Sequence, residues 1–504
     1  MPSYIYGASV QGIQSFIFQT NKLTEIVGAS QLVDDICGTA FRDFCRSFGH
    51  EVIDDNIIML AAGNIRYLVD EETCQKIVKN YPKYVSNYAS GVTIVQAVTK
   101  LGDSLKVSKG ELEKKLTAQK NRVAMPVNIG FMGLERARRT GGVAFDFDMD
   151  MIHRDLGTSQ KFKAEKENQK GLFGKFKIGD IQSDQIPFKL DHITAKSDNA
   201  WLAIVHADGN GLGLLLRNLL KGITDNEKTK TVLAEFSRNL ESATTAAAQT
   251  AFDAVGTINN TDTHYPLRPV VLGGDDMTVI VRADLAYKFT KTYLESFEEQ
   301  TQKFIGQRLT ACAGIAYVKK SYPFHYGVDL AENLTSETKK ILKKLNGGIA
   351  PSALNFYKVQ SSFVEELDEM KKRTHYAKAA KVSFDYGPYI VSKDDETLGI
   401  PGIEELEEAM AHLADLSEEE TNGVAKLREW SAELHDNKEK SDFMMTRIQQ
   451  VNEDFYNKLK LGSMLNKIVS VPGDDRFEEG IQFKSKVNDL LTLSSFKSPD
   501  KKSN

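Results

Sequence analysis

The chain has 504 residues, 41% hydrophobic and 26% charged, with a formal net charge of −5; this is room for three or four globular domains and excludes a disordered or fibrous chain. The slight acidic excess excludes a uniformly basic nucleic-acid binder and leaves only a local basic groove open. With no signal peptide, no apolar run near the length of a membrane span and no CxxC pair among Cys37, Cys45, Cys74 and Cys312, a cytoplasmic protein without membrane segment, disulfide framework or zinc is expected.

In the first hundred residues, short apolar strands at 4–8, 57–60, 65–69 and 92–98 alternate with helical stretches such as GIQSFIF at 12–18. A strand–turn–strand unit, AAGN at 61–64, sits in the middle. This is the plan of a ferredoxin-like palm. The end of its first strand offers Ser9 and Gln11 and its turn offers Asn64, so no acidic pair is present to hold a metal. Residues 1–105 are therefore expected to be a degenerate, non-catalytic palm whose Asn64 and Arg66 hold an acceptor nucleotide. Residues 106–199 read as a linker with a helical insertion. Within it, KFKAEKENQKGLFGKFK at 161–177 mixes lysine with phenylalanine in a way that suits single-stranded nucleic acid. Its lack of periodicity favours a solvated connector.

At 200–360 the same plan returns with acids in place. A buried-looking strand, WLAIVHA, runs into Asp208 and the turn Gly209, Asn210, Gly211, Leu212, Gly213. A helix is expected over 213–256, then a hairpin at 268–282 with Gly273, Gly274, Asp275 and Asp276 at its tip, a helix at 284–305 and a strand at 309–318. A strand-end carboxylate beside a carboxylate-bearing hairpin makes a cage of hard oxygen donors for two divalent ions, Mg²⁺ or Mn²⁺, of the kind nucleotidyl transfer uses. The neighbouring glycines let triphosphate oxygens reach backbone N–H groups at a helix start. Which turn aspartate ligates directly stays open, because adjacent side chains on a strand point to opposite faces.

These residues carry a resemblance. DGNGLG at 208–213, GGDD at 273–276, TACAGIAYVKKSYPF at 310–324, AENLTSETKK at 331–340 and SALNFYKV at 352–359, in that order, resemble the polymerase-like large subunit of type III CRISPR effector complexes. The resemblance implies an α+β chain with two ferredoxin-like palms. It also implies condensation of ATP into cyclic or linear oligoadenylate messengers in antiviral defence, with RNA and other subunits of an effector complex as partners. It places Lys339 facing the triphosphate. Two features of the family look absent: MGLERARRTGG carries no cysteine for a zinc knuckle, and the chain starts at the palm, without the nuclease domain.

Residues 361–495 are expected to form a helical domain, from amphipathic stretches such as IEELEEAMAHLADL and DFMMTRIQQVNEDFYNKLK, and 496–504 a disordered tail. His435-Asp436 with His412 and Asp454 imitates a phosphohydrolase site, but on amphipathic helices these are surface residues. Two other functions compete. A diguanylate-cyclase-like enzyme using GTP is disfavoured because that family's turn prefers Glu then Phe where this chain has Asp276 and Met277. An RNA-binding scaffold subunit is disfavoured by the intact acidic triad.

Overall fold

The computed structural model of the chain describes residues 2–496 apart from 62, 123–131, 148–150, 169, 177–180, 195–200, 257–262, 347, 361–365, 393, 394, 396, 398, 415–420 and 469–479. Strands β1 (Tyr4–Gln11), β2 (Ile57–Ala61), β3 (Asn64–Val69) and β4 (Thr93–Lys100) form an antiparallel sheet in the order β2-β3-β1-β4. This is the ferredoxin-like order. Alternation along β1 divides the core. Tyr6, Ala8 and Val10 pack beneath α1 (Ile13–Ile17), α2 (Leu23–Ile36), α3 (Thr39–Ser47) and α4 (Glu71–Tyr88), while Ile5 faces Leu105, Leu112 and Leu116 of α5 (Leu105–Lys120). The first palm thus extends past residue 105, because α5 closes the second face of its sheet.

The stretch after α5 is not a solvated connector. Beyond a hairpin of β5 (Ala144–Phe147) and β6 (His153–Asp155), helix α6 (Leu156–Glu167) packs on α2 and α7 (Gly171–Phe176) packs on the second palm, with a short α8 (Leu190–Ile193) beyond. Phe173 and Phe176, three apart on one helical face, are 1% and 0% exposed. Lys161 is buried, its ammonium donating to the Phe16 carbonyl at 2.6 Å and to Gln19 Oε1 at 3.2 Å. The α2–α6 contact is closed at Gly28, where a Cβ would lie 1.7 Å from the Lys161 carbonyl oxygen. Apolar spacing and a satisfied lysine, rather than lysine content, decide this segment's fate.

The second palm repeats the first. Strands β7 (Trp201–Gly209), β8 (Leu267–Gly273), β9 (Asp276–Arg282) and β10 (Ala311–Lys319) take the same relative order, and helices α9 (Leu212–Leu219), α10 (Asn226–Val255) and α11 (Ala283–Ile305) connect them. The helix expected over 213–256 is two helices: Gly222 turns with φ +82°, and the Asp225 side chain caps α10 by accepting from the Lys228 N–H at 3.1 Å. Helix α12 (Phe324–Asn346) then crosses over to β11 (Ala353–Lys358), which pairs parallel with β10. One face of this sheet lies on α10 and α11, and the other meets α12 and the first palm's helices in a shared core.

The C-terminal region is mostly helical but not a simple bundle. Helices α13 (Leu367–Thr374), α14 (Ile403–Ala414), α15 (Thr421–Asp436), α16 (Lys438–Val451), α17 (Glu453–Lys458) and α18 (Val487–Ser494) surround a small sheet of β12 (Tyr376–Ala377), β13 (Val382–Ser383), β15 (Asn466–Lys467) and β16 (Phe483–Lys484). Strand β14 (Tyr389–Ile390) adds to the second palm's sheet beside β11. Of the expected tail, Phe496 is instead packed, its ring stacked 4.4 Å from that of Tyr317; 497–504 lie outside the described residues. No described helix is long and apolar enough to cross a membrane.

Candidate active site

Asp208 is the penultimate residue of β7, and Asp276 opens β9 directly across the GG–DD hairpin. The register pairs Gly273 with Asp276, leaving Gly274 and Asp275 as the two turn residues. Gly274 has φ +64° and Asp275 does not share a positive φ, the pattern of a type II′ turn, which needs glycine first. Thr244 of α10 donates to the Gly274 carbonyl at 2.7 Å and pins the turn.

Register also settles which carboxylates share a face. His206 lies opposite Thr278 and Ala207 opposite Met277, so Ile204, His206 and Asp208 project on the same side as Ile280, Thr278 and Asp276. Asp275 reaches the cluster from the turn tip, and the ligand atoms of Asp208, Asp275 and Asp276 all lie within 4.8 Å of one another. Among the described residues this is the one such group of three or more acids, histidines or cysteines. Burial, together with the neighbouring charges of the cluster, pushes the Asp275 and Asp276 carboxyls well above the ordinary carboxylate range. Lys339 of α12 forms an ion pair with Asp208 and donates to the Gly209 carbonyl at 2.8 Å. Three hard oxygen donors facing one ammonium, with two carboxyls strained toward protonation, fit a site for divalent cations such as Mg²⁺ or Mn²⁺.

The flanking glycines serve this geometry. A Cβ on Gly209 would come within 3.0 Å of that of Asp275, so glycine lets the hairpin approach β7. Gly211, with φ +69°, starts α9, and Gly213 lies in its first turn. Asn210 is 6% exposed and tied inward. Its backbone N–H donates to the Thr310 carbonyl at 2.8 Å, and its side-chain amide to Thr310 Oγ1 at 3.2 Å and the Ala350 carbonyl at 3.1 Å, so its donors brace the turn.

A cavity of about 1130 Å³ opens between the two palms beside the carboxylates, reaching Gly273 and Asp276. The second palm lines it with His206, Thr278 and Glu332, and the first palm with Gly12, Gln14 and Gly63. Gln14 hydrogen-bonds Glu332 across the cleft. Burial, with Asp329 and Asp208 nearby, raises Glu332 to about 7, and burial lowers His206 to about 4, so this imidazole is neutral. Sequence reasoning passed over these residues, although a signal existed: His206 and Thr278 sit two residues from Asp208 and Asp276 on the same strand face. Glu332, Thr335 and Lys339 likewise share a helix face.

The first palm's expected nucleotide residues are placed differently. Ser9 donates to Asn64 Oδ1 at 3.0 Å, a neutral pair where the second palm has Asp208 and Asp276. Arg66 does not face the cavity. It is 5% exposed, pairs with Glu113 of α5 at 2.7 and 3.0 Å, and donates to the Ala8 and Ile65 carbonyls at 2.8 Å. The phosphohydrolase-like histidines are separate too: His435 packs its ring 5.3 Å from Phe384, and His412 pairs with Glu408 at 3.8 Å.

Residues 201–346, which hold the three aspartates and Lys339, match the family model of the Cas10/Cmr2 second palm domain. This unit is similar to a Cas10/Cmr2 palm. The fold of the whole chain has solved relatives as well. The chain resembles the Csm1-Csm4 cassette solved in complex with cA3, at TM-score 0.54 and 11% identity, over 98% of this chain and 70% of that one. It also resembles the cassette with cA4, at 0.51 and 13%, and with one ATP, at 0.51 and 12%, over the same 98% and 70%. At such identity the likeness is one of fold. No curated protein matches the chain.

Proposed function

We propose that the protein is a metal-dependent nucleotidyltransferase that joins ATP into oligoadenylate with release of pyrophosphate, as the Cas10-like large subunit of a type III CRISPR effector assembly. The observation that carries this is the cluster of Asp208, Asp275 and Asp276 within 4.8 Å, set at the edge of the inter-palm cavity. The residue match to a Cas10/Cmr2 palm supports it, as do fold neighbours bound to cA3, cA4 and ATP alongside a second protein, Csm4.

Held by the three aspartates, divalent ions would activate the attacking hydroxyl and neutralise charge on the departing pyrophosphate. The chain's own groups position the rest. Lys339, anchored on α12, is a cation beside Asp208 that can meet phosphate oxygens, and the start of α9 at Gly211–Gly213 presents backbone N–H groups and a favourable dipole. Neutral His206, with Thr278, Gln14 and Glu332, gives the cavity hydrogen-bonding groups for base and ribose. The cavity lies between a palm with the acidic cluster and one whose matching strand end and turn carry Ser9 and Asn64 instead, which suits two nucleotides brought together; aligning them is worth roughly 7–11 kcal/mol of barrier.

The test is incubation of the purified chain with each labelled nucleoside triphosphate and Mn²⁺, with and without RNA and a partner subunit. Oligoadenylate from ATP is expected. Product from GTP alone would transfer the assignment to the diguanylate-cyclase-like class, and no turnover under any condition would leave a scaffold.

A further inference from the structure

Helix α12 is gripped from two sides. Glu332, Thr335 and Lys339, at positions i, i+3 and i+7, share the face toward β7. There Thr335 donates to the His206 carbonyl at 3.1 Å, and Lys339 donates to the Gly209 carbonyl at 2.8 Å beside its ion pair with Asp208. Glu337, two residues before Lys339, is turned about 200° from it around the helix axis. It meets the C-terminal region instead. Its Oε2 accepts from the Lys371 ammonium of α13 at 2.6 Å, and the same ammonium donates at 2.9 Å to Asp385 Oδ2, just past β13. Lys371 is 4% exposed, so a charge taken almost wholly out of water joins the two parts of the chain. The platform behind it is tied down as well: Tyr357 Oη of β11 hydrogen-bonds Thr374 Oγ1 of α13 at 2.9 Å, and the Phe384 N–H donates to the His375 carbonyl at 2.7 Å. The first half of α12 is pressed on β10, where a Cβ on Gly314 would run into the Ala331 carbonyl oxygen. The half that carries Lys339 sits over a separate, smaller core of Leu342 with Cys312, Ala350, Ala353 and Ile390.

We propose that Lys371 is a positioning residue for the nucleotide site: through Glu337 it fixes the rotation of α12, and with it the placement of Lys339 over Asp208. The inference rests on reading Lys339 as the cation that meets the triphosphate. A helix turns as a unit, so freeing Glu337 from Lys371 releases the outer side of α12 and shifts the Lys339 stem on the inner side away from the carboxylate centre. The C-terminal region is then part of the machinery of the nucleotide site, although Lys371 stands on the far side of α12 from the aspartates.

A double-variant cycle on the full chain tests this, read as equilibrium affinity for ATP with Ca²⁺ by calorimetry, per folded molecule, and repeated as pyrophosphate release with Mn²⁺. Lys339→Ala should weaken ATP binding at least about tenfold, the worth of one hydrogen bond to a charged group. Lys371→Met should weaken it at least about threefold in the wild-type background and by less than about twofold, the scatter of independent sites, once Lys339 is already replaced. A merely structural role gives the same loss in both backgrounds. That result overturns the proposal, as does an unchanged affinity in Lys371→Met. Should Lys371→Met fail to fold, Glu337→Gln, which keeps its shape and leaves Lys371 paired with Asp385, decides by the same cycle. Binding of ATP without pyrophosphate release by the wild-type chain would remove the function proposed above while the cycle still decides for Lys371, and no binding of ATP at all overturns both.

Discussion

Neutralising Asp276 separates what the carboxylate cluster does for metal from what it does to the fold. Ligand oxygens of the three aspartates lie within 4.8 Å of one another, and Lys339 pairs directly only with Asp208. Two unit charges at that distance repel by about 3.5 kcal/mol at an effective dielectric near 20. Partial protonation and the field of Lys339 reduce this, so Asp276→Asn, which keeps the shape and removes the charge, should stabilise the metal-free protein by about 1–3 kcal/mol near neutral pH. Metal reverses the order. Mn²⁺ at a hundred times its dissociation constant stabilises the wild-type chain by about 2.7 kcal/mol, and the variant, short of one ligand, far less. Thermal unfolding in chelator and in Mn²⁺ reads both effects. A variant less stable than wild type in chelator, or one with an undiminished Mn²⁺ shift, refutes the reasoning.

Arg66→Ala should cost about 2–3 kcal/mol in chemical denaturation, because it leaves Glu113 and two carbonyls without their donor, yet leave pyrophosphate release per folded molecule unchanged. Asp489 is buried, accepts from Tyr389 Oη at 2.6 Å, and is raised by burial to about 7. Its folded form holds a proton that the unfolded chain gives up near pH 4, so its contribution is present at low pH and is lost as pH rises through about 7. Relative to Asp489→Asn, the wild-type chain should therefore lose up to about 4 kcal/mol between pH 4 and 8, measured by denaturant midpoints. Gly28→Ala should detach α6 from α2, since the added methyl meets a backbone carbonyl, and limited proteolysis should then cut the 156–176 stretch that the wild-type chain protects.

The acidic half of the site was legible because hairpin chemistry is local: two glycines followed by two aspartates between β-branched runs leave little choice of turn. The strand-end Asp208 was legible for the same reason. What the sequence hid depends on long-range packing. Arg66 beside a polar turn looks available until Glu113, 47 residues on, arrives on α5 and occupies it. Asn210 sits inside a glycine-rich motif, but its amide is drawn inward by Thr310 and Ala350, 100 and 140 residues away. The lysine-rich stretch at 161–177 was misjudged through composition. Its two buried phenylalanines and the carbonyl partner of Lys161 belong to surfaces on separate palms, which no local window contains.

The most direct measurement is pyrophosphate release from ATP in Mn²⁺ by the wild-type chain, by Asp208→Ala, and by Asp275→Ala with Asp276→Ala, each checked for an intact fold by circular dichroism. The carboxylates supply transition-state charge stabilisation worth several kcal/mol, so turnover should fall at least a hundredfold in both variants. A folded variant that releases pyrophosphate at the wild-type rate would contradict the assignment of the three aspartates as the catalytic centre.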